Sequence, residues 1–247
     1  MRKLFLIILS IGFINNCTHQ PLDITEELEN TEDLVDEVLE VNDLVIKNQG
    51  ELKKTELSDE EKLNQSLNLG DYEDKQEVQK WIQYFKTNGR KHFTDYLNKG
   101  SYYKAMVQTI LNKHEVPSYF YYLAMIESGY SPRVTSKAKA VGIWQFIPPT
   151  GRRYGLRIDG YVDERVDPIR SSIAASQYLS DLHNVFHSWL LAMAAYNAGE
   201  SRIMNIIMKH GTRDYWELVH KKALPKETRN YIPKFMAAVL IGNHPEK

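Results

Sequence analysis

The sequence of 247 residues contains a single cysteine, Cys17. One thiol cannot form an internal disulfide, and its place near the N-terminus excludes a Cys-His peptidase mechanism. The chain has no glycine-rich phosphate-binding loop and no motif of the known nucleic-acid-binding folds. Nucleotide-dependent chemistry and nucleic-acid binding are therefore not expected.

Patterns that bind metal ions are also scarce. His183 and His187 are four residues apart, a spacing that places both on one face of a helix. The residues between them lack the glutamate of the H-E-x-x-H motif, and no third ligand is evident. We therefore expect neither a metal ion nor another cofactor.

A long apolar run occurs only at the N-terminus. Residues 2–15 combine a basic start with about a dozen apolar residues, which is the shape of an export signal and too short to span a bilayer comfortably. Cys17 follows directly, as in the lipoprotein signal of bacteria, although Asn16 stands where that signal has a small residue. We predict a signal peptide over residues 1–17 with lipidation at Cys17. A retained or otherwise cleaved signal is the alternative.

Charge divides the remaining chain. Residues 18–61 hold 15 acidic residues against three lysines, whereas residues 62–247 hold 26 lysines and arginines against 17 acids. We predict a mostly disordered acidic linker over residues 18–71, although four apolar residues at helical spacing would also allow a partner-bound helix. The basic body that follows suits an anionic polymer.

Hydrophobic periodicity predicts an all-α protein with one folded domain over residues 72–247. Apolar residues recur at helical spacing, and few runs alternate as strands do. Asp167 is a suitable cap for a helix that has Pro168 at its first position. Further helices are predicted around Trp81, around Phe93, and over residues 102–114, 188–198, 200–210 and 231–241.

Residues 119–151 contain the strongest candidate for a catalytic group. Residues 119–126 form an apolar and aromatic run without a polar face, which predicts a buried helix capped by Ser118, and the run ends abruptly on Glu127. Burial of this run would desolvate the carboxyl and raise its pKa, as general acid catalysis at a glycosidic bond requires. The segment VGIWQF at residues 141–146 follows. It contains a glycine, which lets a ligand approach the backbone closely, together with an indole and an amide, and this combination suits a sugar. Alone, Glu127 could equally be a solvated acid at a helix end.

Two further clusters combine polar and aromatic residues. AYNAG at residues 195–199 ends an apolar helix and offers the ring of Tyr196 and the amide of Asn197. In LPKETRNYIP at residues 224–233, Glu227 and Tyr231 are four apart and share a helix face. Each cluster alone could be only structural, the first as a helix cap and the second as an acid favoured by the helix dipole.

Taken in order, these motifs resemble one family. The chain from about residue 77 to residue 244 resembles the soluble-lytic-transglycosylase (SLT), goose-lysozyme-like catalytic domain, and most closely its membrane-bound type D branch. The resemblance rests on Ile126-Glu127-Ser128, Ser136, residues 142–148, residues 195–199 and residues 227–231. It implies a lysozyme-like helical fold with a deep glycan-binding cleft.

The same resemblance assigns roles to residues. It implies that Glu127 is the catalytic acid and base, and that Trp144, beside Gln145, lines the cleft or belongs to the core. The residues expected to bind the glycan are Ser136, Gln145, Tyr196, Asn197, Glu227 and Tyr231.

The activity implied is cleavage of the β-1,4 bond between N-acetylmuramic acid and N-acetylglucosamine in peptidoglycan, with formation of 1,6-anhydro-muramic acid ends. A hydrolytic muramidase and a non-catalytic wall-binding protein are the alternatives. The expected protein is a monomer, exported and anchored by lipid to the outer membrane on its periplasmic side, with peptidoglycan strands as its partner.

Overall fold

A computed structural model describes residues 70–243 of the chain. The predicted signal peptide, Cys17 and almost all of the predicted acidic linker lie outside these residues. Within them the chain forms eleven α-helices and no strands, apart from isolated β-bridges in the loops. The first six helices are α1 (Gly70–Glu73), α2 (Gln76–Lys86), α3 (Arg90–Ser101), α4 (Lys104–Lys113), α5 (Tyr121–Ser128) and α6 (Pro148–Arg153). The other five are α7 (Pro168–Phe186), α8 (Trp189–Ala198), α9 (Glu200–His210), α10 (Tyr215–His220) and α11 (Lys226–Gly242).

The centre of the fold is helix α8, which packs against α7, α9 and α11. Its residues are apolar on every side, and those from Trp189 to Ala195 are all buried. A helix without a polar face is stable only inside the protein, because any exposed side would place apolar surface in water. The side chain of Ser188 accepts a hydrogen bond from the backbone of Leu191 and caps this helix. The predicted core helix over residues 188–198 is therefore confirmed.

Helix α7 begins where its capping residues predict. The carboxylate of Asp167 accepts hydrogen bonds from the backbone N–H groups of Ile169 and Arg170, and Pro168 occupies the first turn. These bonds satisfy N–H groups that have no partner within the helix. The helix then packs against α4 and α8.

Helix α5 differs from its prediction at one end. A short 3₁₀ turn, Ser118–Phe120, precedes it, and the α-helix begins at Tyr121 without a side-chain cap. The first five residues of α5 are buried. At its C-terminal end the chain adopts left-handed geometry at Gly129, with φ 58°. Glu127 therefore lies in the last turn of a buried helix, as the sequence predicts.

Helix α11 begins at Lys226, five residues before the predicted start, and it continues through Pro233. Proline lacks the N–H that would bond to the carbonyl of Arg229. The hydroxyl of Tyr215 compensates, because it donates to the carbonyls of Thr228 and Arg229 at 3.3 and 3.4 Å. A partner from α10 thus makes this proline compatible with the helix.

Helix α11 also packs against α2 and α5, which brings its first turns close to Glu127. Over residues 70–243, no helix has both the length and the apolar character needed to cross a membrane.

Candidate active site

Glu127 is half-buried, and it is hydrogen-bonded to Tyr231. The hydroxyl of Tyr231, on α11, donates to Oε1 of Glu127. Tyr231 is only 8% exposed, so the bond is shielded from water. Burial and the neighbouring carboxylate raise the pKa of Tyr231 well above its ordinary value, which keeps the hydroxyl protonated as a donor. Two residues predicted from separate motifs therefore meet.

The surroundings of Glu127 raise the pKa of its carboxyl to about 7. Desolvation by burial is the largest cause, and the nearby charge of Glu227 adds to it. The hydrogen bond from Tyr231 and the positive charge of Lys234 act in the opposite direction. A carboxyl with this pKa is present in both protonation states near neutral pH, which is the condition for giving and taking a proton.

Lys234 belongs to the site, although it lies outside the motifs of the sequence. Its Nζ donates to the carbonyl oxygen of Ile126 at 3.3 Å and lies 5.8 Å from the centroid of the Trp81 ring. Burial lowers the pKa of Lys234, while Glu127 raises it. The signal that could have found it is spacing, since Glu227, Tyr231 and Lys234 recur every three or four residues along one helix face.

Gln145 lies beside this site in a strained loop conformation. Its backbone has φ 53°, in the left-handed region that residues other than glycine seldom adopt. The side-chain Nε2 donates to the carbonyls of Gly142 at 2.8 Å and Val134 at 3.3 Å. These bonds fix the amide, and within the described residues no protein group bonds to its oxygen. That oxygen is available to a ligand.

Ser136 forms the base of the turn before this loop. Its Oγ accepts a hydrogen bond from the backbone of Ala140 at 3.0 Å, and its own N–H donates to the carbonyl of Ala140 at 2.8 Å. The side chain is half-buried. Ser136 therefore shapes the loop, and no acceptor among residues 70–243 takes its hydroxyl hydrogen.

Gly142 approaches protein backbone and not a ligand, contrary to the expectation from the sequence. A Cβ atom at this position would lie 1.8 Å from the carbonyl oxygen of Arg165, and the backbone has φ 87°. The loop is held there by Arg165, whose guanidinium donates to the carbonyls of Lys139 and Phe146, each at 2.9 Å. Asp163 pairs with the same guanidinium at 2.7 Å. Arg165 is buried, and no motif in the sequence marked it.

Trp144 belongs to the core. Its side chain is 0% exposed, and its indole N–H donates to Oγ of Ser172 at 2.8 Å. A ring with no exposed surface cannot stack on a sugar, so the structure does not support the expectation that it lines the cleft. Its contribution to the site is a backbone carbonyl, which accepts a hydrogen bond from the hydroxyl of Tyr196 at 2.7 Å.

Tyr196 and Asn197, at the end of α8, connect three parts of the site. Tyr196 holds the Gln145 loop through Trp144, and the charge of Glu127 together with burial raises the pKa of its hydroxyl. The Oδ1 atom of Asn197 accepts a hydrogen bond from Oγ1 of Thr228 at 2.8 Å, which fixes the start of α11. Glu227, the next residue back, is exposed in the first turn of α11.

Ser128 joins the helix of Glu127 to the loop of Gln145. Its Oγ donates to the carbonyl of Ile143 at 3.0 Å and accepts a hydrogen bond from the backbone of Ser131 at 3.1 Å. The residue directly after the acid therefore sets the distance between the acid and the loop. The sequence motif included Ser128 but gave it no role.

The two histidines with metal-ligand spacing serve the fold. The ring of His183 stacks on Trp189, with centroids 4.0 Å apart, and His187 ends α7 with φ 50°. In residues 70–243, no three acidic, histidine or cysteine side chains are grouped as metal ligands would be.

The fold and the site together define a helical protein in which a carboxyl of raised pKa lies at the end of a buried helix, close to a loop that offers polar groups. Residues 105–219 match the family described as the Transglycosylase SLT domain. This part of the chain is therefore similar to an SLT domain, and the all-α, lysozyme-like fold expected from the resemblance is confirmed.

Curated relatives agree with this assignment. The chain is 41% identical over 132 residues to "Membrane-bound lytic murein transglycosylase D" of Escherichia coli strain K12. The aligned region covers 51% of this chain and 28% of that relative. The values are the same for the protein of that name in a second E. coli strain. "Peptidoglycan transglycosylase gp16" of Escherichia phage T7 is 38% identical over 85 residues, covering 34% of this chain and 6% of the phage protein. The chain thus spans little more than a quarter of the length of the first two relatives.

Proposed function

We propose that this protein is a peptidoglycan lytic transglycosylase. It cleaves the β-1,4 bond between N-acetylmuramic acid and N-acetylglucosamine and leaves a 1,6-anhydro-muramic acid end. The observation that carries the proposal is the environment of Glu127, in which burial brings the pKa to about 7 while Tyr231 holds one carboxyl oxygen. The SLT domain and the names of its relatives support peptidoglycan as the substrate.

In the first step, protonated Glu127 acts as a general acid. Tyr231 bonds to Oε1, and within the described residues no protein donor bonds to Oε2, so that oxygen faces the substrate. The proton passes to the glycosidic oxygen, and the bond between this oxygen and C1 of the muramic acid breaks. The bonding electrons leave with the oxygen, which becomes a hydroxyl of N-acetylglucosamine.

In the second step, the Glu127 carboxylate acts as a base. Positive charge at C1 is stabilised by the substrate's own acetamido group, and Glu127 takes the proton from the C6 hydroxyl of the same sugar. The oxygen of that hydroxyl then bonds to C1 and closes the anhydro ring. Tyr231 and Lys234 stabilise the carboxylate between the two steps, and Glu127 is protonated again at the end.

Ring closure is favoured over hydrolysis because of where the other acid lies. A hydrolase needs a second carboxylate to activate water or to attack the sugar, unless the substrate's acetamide substitutes. Glu227 influences the charge of Glu127 but is exposed in the first turn of α11, and we assign it a binding role. The C6 hydroxyl is tethered to the reacting ring, so its effective concentration exceeds that of water by orders of magnitude.

The glycan is bound by groups that retain a donor or an acceptor with no hydrogen-bond partner among residues 70–243. These are the amide oxygen of Gln145, the amide nitrogen of Asn197, the hydroxyl of Ser136 and the carboxylate of Glu227. Tyr196 and Tyr231 exclude water from the reacting centre.

Mass spectrometry of peptidoglycan digested in heavy-oxygen water tests the proposal. We expect muropeptides that end in 1,6-anhydro-N-acetylmuramic acid, are lighter by one water than hydrolytic products and contain no heavy oxygen. Heavy oxygen at the new reducing ends would instead identify a hydrolytic muramidase with Glu227 as the second carboxylate. Binding without any cleavage would identify a wall-binding protein.

We further propose that the protein acts as a monomer in the cell envelope, anchored by lipid at Cys17 to the outer membrane. The export signal before Cys17 and the membrane-bound relative support this location. In cells, Cys17→Ser should move the protein out of the membrane fraction or block its processing. Unchanged membrane association would point to a retained apolar signal.

A further inference from the structure

A cavity of about 480 Å³ lies next to the site, and neither the motifs nor the family match accounts for it. Its volume is within the range of about 300–1,000 Å³ that is typical of ligand pockets. Every residue that lines it is outside residues 105–219. It is formed by helices α2 and α3, the turn between them and one residue of α11, with these lining residues: Trp81, Tyr84, Phe85, His92, Tyr96 and Lys234.

Two residues that line the cavity contact the chain on either side of Glu127. Lys234, which lines the cavity, donates from Nζ to the carbonyl of Ile126, the residue before Glu127. The ring of Tyr96, which also lines it, packs so tightly on Gly129 that a Cβ there would lie 2.3 Å from a ring carbon. The cavity is therefore separated from the chain around Glu127 by the side chains of Lys234 and Tyr96 alone.

Helix α11 gives the direction in which a long substrate would run. Glu227, Tyr231 and Lys234 lie on one face of this helix, and seven residues of helix span about 10 Å. Tyr231 holds Glu127 in the middle of this row, Glu227 lies at one end, and Lys234 borders the cavity at the other. A polymer that extends from Glu127 in the direction of Lys234 would reach the cavity.

The walls of the cavity have the chemistry of a sugar-binding site. Trp81 and Tyr84 meet edge to face with centroids 5.5 Å apart, and Tyr84 is 43% exposed. The turn at Gly89 supports the Tyr84 ring, since a Cβ at this position would lie 2.5 Å from it. Supported aromatic rings bind the apolar faces of sugars, while Lys234, His92 and the tyrosine hydroxyls can bond to sugar hydroxyls.

We propose that this aromatic cavity is an additional subsite that binds sugar residues of the glycan strand beyond the pair at the cleaved bond. The inference rests on the proposed function, because it takes the peptidoglycan strand as the substrate. It assigns residues 81–96 a role in selecting long strands. Binding there holds the strand in register with Glu127 and contributes more to long substrates than to short ones.

The first test measures kcat/KM for peptide-free oligomers that contain two, three and four disaccharide repeats. For the wild-type protein we expect kcat/KM to rise with length. Tyr84→Ala should reduce that rise by roughly five- to tenfold, the size expected for the loss of one ring contact. Tyr161→Ala is the matched control, since Tyr161 is 96% exposed and does not line the cavity. It should keep the full rise.

Other outcomes of this test would overturn the subsite. An equal loss at every length would indicate a structural role for Tyr84, and an unchanged rise would indicate no role. An effect confined to peptide-bearing strands would assign the cavity to stem peptides. Higher activity at every length would assign it to a segment of this chain, such as the acidic residues 18–61.

A second test does not depend on cleavage. In the Glu127→Gln protein, binding of the longest oligomer should shift the tryptophan emission to shorter wavelength, because Trp81 is half-buried in the cavity wall while the other three tryptophans are buried. Trp81→Phe in the same background should abolish the shift. If the shift persists there, the subsite is wrong. A wild-type protein that cleaves no oligomer but still gives the shift would overturn the proposed function and leave the subsite intact.

Discussion

The hydroxyl of Tyr231 donates a hydrogen bond to Oε1 of Glu127 across 104 positions of the chain. This bond joins the first and the last motif of the sequence into one site. It leaves the second carboxyl oxygen of Glu127 available to the substrate. The arrangement gives Glu127 a fixed orientation and a pKa near neutral pH. The following predictions test what each of these features contributes.

Replacement of the acid should abolish turnover without abolishing binding. Glu127→Gln keeps the shape of the side chain and can still accept the hydrogen bond from Tyr231, but it cannot exchange a proton. We expect kcat on peptidoglycan to fall by at least about 10²- to 10⁴-fold. Sedimentation with insoluble peptidoglycan should show that binding is retained. Near-normal turnover in this variant would remove Glu127 from the mechanism.

The raised pKa of Glu127 should also be visible in stability. The native state binds this proton up to a pKa of about 7, whereas an unfolded glutamate loses it near 4.5. Between these values the native state holds more protons, so stability falls as pH rises, and the full cost is present above pH 7. Glu127→Gln removes the cost and should be more stable than wild type at pH 8 by about 1–3 kcal/mol.

Urea unfolding of both proteins at pH 4 and pH 8 measures this difference. At pH 4 the wild-type carboxyl is protonated in both states, so the two proteins should have similar stability. An equal difference at both pH values would show that the substitution acts through packing and not through the charge.

Lys234 should set the pH dependence of activity. The basic limb of the kcat/KM profile reports loss of the Glu127 proton. Lys234→Met removes a positive charge that lowers the pKa of Glu127, so this limb should move to higher pH. Lys234→Arg keeps the charge and is the control, with a limb close to that of wild type. If both variants lose activity without a displaced limb, Lys234 has only a structural role.

Gly142 should be required for the loop that carries Gln145. Gly142→Ala would place a Cβ 1.8 Å from the carbonyl oxygen of Arg165, in a backbone conformation with φ 87°. Gly155→Ala is a matched control, because Gly155 has φ 79° and no atom within 4 Å of the added Cβ. The control should lose roughly 1–2 kcal/mol to backbone strain alone.

The loss for Gly142→Ala should exceed that of its control by at least about 1 kcal/mol, the size expected from forced displacement of packed atoms. Thermal unfolding of both variants measures the difference. Equal losses would mean that the loop moves away from Arg165 without cost, and that the close backbone approach does not hold the site.

Local chemistry determined the helices that the sequence could predict. Some signals act within one or two turns of helix and can therefore be predicted from the sequence. Examples are the cap at Asp167, the proline at 168 and the apolar residues of 189–195. The start of helix α11 was predicted five residues too late, because proline is favoured only in the first turn of a helix and the compensation for Pro233 comes from Tyr215 in another element. Boundaries that depend on a distant partner are not encoded locally.

The sequence by itself also predicted which acid is the candidate for the chemistry. An acid at the end of an apolar run predicts desolvation, and the structure places Glu127 in such surroundings. Only the tertiary structure decided the geometry around it: that Trp144 faces the core, that Arg165 holds the loop, and that Lys234 stands beside the acid. The physical reason is that hydrogen bonds and charge interactions act through space, whereas periodicity and capping act along the chain.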